Sequence, residues 1–226
     1  MKPSNEAIDT HGHGHHDPLL SHQFEDMNQQ NEAYTVGMWV FLITELMFFG
    51  GLFAAYIIYR SKYYDGFFAA HEHLDVILGG LNTLVLLTSS LTMALAVRAA
   101  MLRRYMAQIG FLTATWLCAA GFMVIKAIEY TSKYDHNLIP GVNFDTVGNP
   151  LPGAQLFYSL YFAMTGLHGF HVLIGMIVIG ILIVRTWINR HKDMDYMPIE
   201  MTGLYWHFVD LVWIFLYPLL YLMGRG

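Results

Sequence analysis

Five ionisable side chains stand inside stretches that are otherwise greasy: Glu45, His168, His171, His207 and Asp210. Carboxylates and imidazoles in such places pass protons, ligate a metal, or hydrogen-bond to one another and pin helices together. Glu45 is the sharpest case, because it is the only charged residue across 36–59. An acid at the centre of a bilayer costs roughly 2.5–3.5 kcal/mol on insertion scales, so a structural or functional return is expected. His168 and His171 are three apart, as are His207 and Asp210, and residues at that spacing share a helix face. With about 1.5 Å of rise per residue, these groups fall at similar depths on three different segments. The economical arrangement points them at one another as an intramembrane polar network.

A metal reading has to be weighed beside that one. Two histidines three apart on one helix cannot bracket a haem from opposite sides, although His207 could partner either of them. A zinc or di-iron site would need more facing ligands than one Glu, one Asp and three His. The tract His11-Gly-His-Gly-His-His16, followed by His22, has the composition of a metal-binding tail but no scaffold to fix a geometry. Lys126 and Glu129, also three apart, read as an interfacial ion pair with a snorkelling lysine. Asn82, Thr83 and Ser89 give one apolar segment a polar face, a composition that marks close helix packing in membranes.

The elements that must position these groups follow from composition. Of 226 residues, 55% are hydrophobic and 13% charged, against about 25% charged in soluble domains. A membrane helix needs about 20 apolar residues, and five stretches qualify: 36–59, 76–97, 108–128, 156–184 and 204–222. Continuous apolar runs exclude a β-barrel, whose strands alternate with period two. The fold expected is therefore an all-α, polytopic bundle of five transmembrane helices over 36–226. A polar, His-rich tail over 1–35, ordered only against a partner, precedes it. Lys2, Arg98, Arg103, Arg104, Arg185, Arg190 and Lys192 fall on one side, against Arg60, Lys62, Lys133 and Arg225 on the other. The excess predicts a cytoplasmic N-terminus and an outer C-terminus. The net charge of −5 and the absence of a basic stretch speak against nucleic-acid partners. The lone Cys118 cannot form an internal disulfide.

The residues flanking the polar positions carry a family likeness. Gly37-Met-Trp-Val-Phe-Leu-Ile-Thr-Glu-Leu-Met-Phe-Phe-Gly-Gly-Leu-Phe-Ala-Ala-Tyr56 resembles the acid-bearing helix of subunit III of the haem–copper terminal oxidases. Leu81-Asn-Thr-Leu-Val-Leu-Leu-Thr-Ser-Ser90 resembles that family's next helix, and Lys126-Ala-Ile-Glu-Tyr130 the end of the one after. Thr165-Gly-Leu-His-Gly-Phe-His-Val-Leu-Ile-Gly175 is similar to its paired-histidine helix, and Tyr205-Trp-His-Phe-Val-Asp-Leu-Val-Trp213 to its last. Five motifs in order, one per span, identify the chain as resembling the bacterial five-helix form, without the two helices that open the seven-helix form.

The resemblance implies an accessory, non-redox subunit of a proton-pumping cytochrome c oxidase in a bacterial plasma membrane. Haem and copper would lie in partner subunits I and II, with none bound by this chain and no catalytic residue in it. Phospholipid binding, support of subunit I and sustained proton uptake would be its work, with membership of a larger respiratory supercomplex possible. A quinol oxidase or nitric-oxide reductase partner would look alike from this chain. An independent ion channel or transporter, with Glu45 and Asp210 as ion ligands, and a membrane metalloenzyme are the readings from other classes. The internal repeats common in transporters are not evident.

Overall fold

The computed structural model describes residues 23–24, 26–71, 74–141, 144, 153–189 and 195–223. The histidine tract at 11–16, His22, Lys2, Arg190, Lys192 and Arg225 lie outside the described residues. Six helices follow in order: α1 (Met27–Lys62), α2 (Tyr64–His71), α3 (Val76–Met101), α4 (Tyr105–Asp135), α5 (Ala154–Ile188) and α6 (Met197–Tyr217). A π-helical turn over Pro218–Leu222 continues α6. All except α2 are long and apolar enough to cross a membrane, so the chain is an all-α polytopic membrane protein.

Each helix outruns the apolar stretch that announced it. α1 begins at Met27 rather than 36, so 27–35 is helical. Hydropathy counts only what sits in hydrocarbon, whereas a helix continues until something caps it. Asp26 caps α1, its carboxylate accepting from Gln29 N–H at 2.7 Å. Asp75 caps α3 in the same way, accepting from Ile77 and Leu78 N–H at 2.9 and 3.2 Å. Both satisfy amides that no preceding turn can reach and place negative charge at the positive helix end. α3 ends on Arg103, at φ 53, with Arg104 N–H donating to Ala99 O and Arg103 N–H to Ala100 O. This left-handed closure turns the chain straight into α4. α4 ends in the same motif at Asn137, φ 56.

α3, α4, α5 and α6 form a closed ring of four packed helices, and α1 leans on its outside against α5 and α6. The core of the ring is aromatic: Phe122, Tyr158, Tyr161, Trp206 and Trp213 are fully buried. Gly175 lets α6 approach α5, since a Cβ there would meet the Trp206 ring at 2.6 Å. α1 is mostly exposed apart from Gln30, Leu42, Phe49 and Tyr56. Its turns beyond that stripe offer Val40, Ile43, Leu46, Met47, Ile57 and Ile58 outward.

α2 was not legible in the hydropathy. Its eight residues tuck Phe67 and His71 under the ends of α5 and α6. Pro218 lacks an N–H and loosens the last turn of α6. Tyr56 OH donates to the Leu219 carbonyl there at 3.1 Å, and Arg60 donates to the Met223 carbonyl. The far ends of α1, α2 and α6 are thereby tied together.

Candidate functional site

The polar residues singled out in the sequence divide between two places separated by the wall of α5. Residues three apart on a helix differ by about 60° in direction, and α5 uses that difference. His171 turns toward α1, whereas His168 turns into the ring.

On the α1 side, Glu45 Oε2 lies 3.2 Å from His171 Nε2. His171 Nδ1 faces the Leu167 carbonyl at 2.9 Å. A carbonyl only accepts, so Nδ1 carries the hydrogen. Nε2 is then the ring atom turned toward the Glu45 carboxyl group. Tyr205 OH donates to the His171 carbonyl at 2.9 Å, and the Phe49 ring packs 5.5 Å from the imidazole. The pair is not sealed. The Glu45 side chain retains 22% of its accessibility at the base of a groove of about 580 Å³ lined by Phe41, Phe48, Leu167, Phe170 and Ile174. A second groove of about 610 Å³ continues from Phe41 toward the first turns of α1, ending at Gln30, Tyr34, Arg185 and Asp195. Together they form an apolar trough with one acid–base pair midway and a cation and an anion at its end.

Inside the ring, His168 is fully buried between Phe122 and Trp213, with ring centroids 5.5 and 5.1 Å away. Asp210 is 3% exposed. His207 Nδ1 pairs with the Ser90 hydroxyl at 2.7 Å. The structure thus brings Glu45 and His171 together and places His168, Asp210 and His207 elsewhere, so the five do not form one network. Among the described residues, no three His, Cys, Asp or Glu side chains converge as metal ligands.

Lys126 and Glu129 form the expected ion pair, and it is buried within the bundle: Lys126 is 7% exposed and Glu129 3%. Lys126 Nζ donates to Glu129 Oε2 at 2.7 Å and to Tyr221 OH at 2.8 Å, and sits 4.6 Å from the Trp213 ring centroid. Glu129 Oε1 accepts from Tyr221 OH at 2.6 Å and Tyr161 OH at 2.8 Å. Lys133 Nζ stands 3.7 Å from the same oxygen and 5.1 Å over the Tyr161 ring. One carboxylate from α4 therefore joins two lysines to phenols of α5 and of the turn after α6. The sequence pointed to Lys126 and Glu129 but missed Tyr161, Tyr221 and Lys133. Lys133 stands four residues beyond Glu129 on the same helix, a spacing that was the available signal.

The polar face of α3 meets α6. Trp213 Nε1–H donates to Thr83 Oγ1 and Trp206 Nε1–H to Ser89 Oγ, each at 3.1 Å, while those hydroxyls donate to their own helix carbonyls at Gly79 and Leu86. Asn82 is fully buried. A further pair, also missed, closes the bundle end: Tyr56 OH and His71 Nε2 are 2.9 Å apart. Burial, aided by the nearby Arg60 charge, pushes His71 down to about 4.

The family model for cytochrome c oxidase subunit III matches residues 21–225, the whole of this five-helix arrangement. The chain belongs to that family. As a subunit III it is an accessory, multi-pass membrane component of a haem–copper oxidase, a role that associates it with subunits I and II. Its relatives span two kinds of oxidase. It is 30% identical over 199 residues to the cytochrome bo(3) ubiquinol oxidase subunit 3 of Pseudomonas putida, covering 87% of this chain and 89% of that one. It is 30% identical to the probable cytochrome c oxidase subunit 3 of Mycobacterium tuberculosis, over 89% of this chain and 93% of that one. The quinol oxidase subunit 3 of Bacillus spizizenii is also 30% identical, over 95% and 97%. The acid–base pair of this subunit III sits on α1 and α5, and its ion cluster ties α4 to α5 and α6.

Proposed function

We propose that the chain serves a proton-pumping cytochrome c oxidase of a bacterial plasma membrane, with its N-terminus in the cytoplasm and its C-terminus outside. It supports subunit I and sustains proton uptake without a redox centre of its own. Haem and copper belong to subunits I and II in this reading. The observation that carries it is the family match running unbroken over all five spans.

The geometry suits such a role. The α3–α6 ring is stiffened by the Lys126–Glu129–Tyr221 cluster and by the indole bonds to Thr83 and Ser89, a rigid body able to brace a neighbour. The trough beside α1 fits phospholipid. Acyl chains would lie along Phe41, Phe48 and Ile174, with the headgroup phosphate near Arg185 at the end where the cation stands. Glu45 then meets the chains with His171 beside it, and a paired acid costs less in hydrocarbon than a lone one. Lys133 is taken up by the ion cluster. Removing it from the outer tally sharpens the charge bias on which the orientation rests.

The relatives support a second reading with equal identity, a quinol oxidase in place of a cytochrome c oxidase. Purification of the complex through a tag on this chain separates the two. Oxygen uptake with reduced cytochrome c, and a dinuclear copper centre in the accompanying subunit II, are the expected results. Uptake with quinol alone would assign the second reading, and uptake with neither donor would remove both. Proton flux through the isolated, reconstituted chain would instead favour a channel or transporter.

A further inference from the structure

Six buried side-chain atoms inside the α3–α6 ring have no hydrogen-bond partner in the protein: both ring nitrogens of His168, both amide atoms of Asn82 and both carboxyl oxygens of Asp210. The three residues come from three helices and are 0%, 0% and 3% exposed. Hydrocarbon offers them nothing, and buried polar atoms are rarely left unmatched.

Reorientation does not pair them readily. The His168 ring is held between the Phe122 and Trp213 rings. Trp213 is itself fixed by its bond to Thr83 and by the Lys126 ammonium over its face. Ser90 lies toward Asp210 and its hydroxyl pairs with His207 Nδ1, yet neither Asp210 oxygen has a partner in hydrogen-bonding geometry. The remaining demand is mixed. A neutral imidazole presents one donor and one acceptor, an amide presents both, and a carboxylate accepts. A metal cation would answer the carboxylate but not the N–H groups. A small molecule that donates and accepts at once answers all of them.

We propose that the ring binds ordered water among Asn82, His168 and Asp210, as an internal site in the hydrocarbon-spanning part of the bundle. Trp213 organises it: its ring packs on His168, its N–H reaches Thr83 next to Asn82, and Asp210 lies one turn back on the same helix. About one buried water per 27 residues is usual in proteins, each making some three hydrogen bonds to groups such as these. The site is separate from the Glu45–His171 pair, which opens to the trough on the other side of α5. It lies between the Lys126–Glu129 cluster and the Ser90–His207 pair. The water therefore extends a polar file through the interior of a subunit whose outer faces are apolar.

The test is a cryo-EM map of the intact oxidase complex at a resolution that shows water elsewhere in its interior. The expected result is density within about 2.7–3.2 Å of a His168 nitrogen and of an Asp210 oxygen. In His168→Phe, which sets a somewhat larger apolar ring in place of the imidazole and deletes both nitrogens, the density beside residue 168 should vanish while Phe122 and Trp213 hold their places. Direct pairing of Asp210 with Asn82 or His168, or a map in which these atoms face only carbon while water is visible elsewhere, overturns the proposal. So does retention of the same density in His168→Phe.

Discussion

Replacing Glu129 with alanine should be the most damaging single change in the ring. The carboxylate receives Lys126, Tyr161 and Tyr221 at 2.6–2.8 Å and stands 3.7 Å from Lys133. An average interhelical hydrogen bond in a membrane is worth about 0.6 kcal/mol, so three ordinary ones would amount to about 2. Removing the anion from a buried pair also strands its cation, and such losses run to about 3–5 kcal/mol. We expect that larger figure, with Glu129→Gln falling between, because an amide still accepts the phenols but neutralises neither lysine. The assay is steric-trap unfolding of the subunit in bicelles, which yields a free energy directly. The double variant Lys126→Met, Glu129→Leu removes the stranded charge together with its partner. Lys133 then keeps the field of Asp75. Its cost should fall at least about 1 kcal/mol short of the sum of the single changes, within the range found for contacting residues. A loss below about 1 kcal/mol for Glu129→Ala would refute the reasoning, as would strict additivity in the double variant.

Other changes separate the remaining parts of the account. Glu45→Gln should leave assembly and the haem spectrum of the complex unchanged, because an amide meets His171 without charge at a half-open site; loss of haem absorbance in that variant would contradict this. Gly175→Ala should cost about 1–3 kcal/mol by overpacking against Trp206, measured in the same bicelle assay, whereas Gly50→Ala, with open space around its Cβ, should be close to neutral. His71 gives a pH dependence whose sign follows from its depressed value. The unfolded chain takes up a proton below about 6.5 and the folded one only near 4. Its contribution is therefore complete above pH 6.5 and is lost as pH falls toward 4, of the order of 1–3 kcal/mol. His71→Phe should flatten that part of the stability–pH curve, and an unchanged slope would contradict the assignment.

Much of this arrangement could be read from the chain. Five apolar runs fixed the number of spans, because hydrocarbon imposes a length that sequence cannot hide. Helix ends were less visible, since Asp26 and Asp75 act through caps outside the apolar runs. α2 has only eight residues, too few for a hydropathy window, and its role depends on what lies above it. Depth was legible from residue count, whereas rotation about each axis was not. His168 and His171 lie within one turn of each other but point about 60° apart, one into the ring and the other toward α1. Lys126 sat near the end of an apolar run and so resembled a snorkelling residue. What buries it is Tyr161 and Tyr221 arriving from other helices, which no local pattern announces. The aromatic positions are similarly divided: Trp39 and Trp187 are exposed, while Tyr205 and Tyr221 turn inward.

In the proposed function, this bundle works only beside redox-active neighbours. The decisive observation is a reduced-minus-oxidised absorption spectrum of the material recovered through a tag on this chain, in mild detergent. Haem bands are expected in fixed proportion to the subunit, unchanged in His168→Ala and His207→Ala because the haem belongs to a neighbour. A stable, colourless preparation containing this polypeptide alone would contradict it.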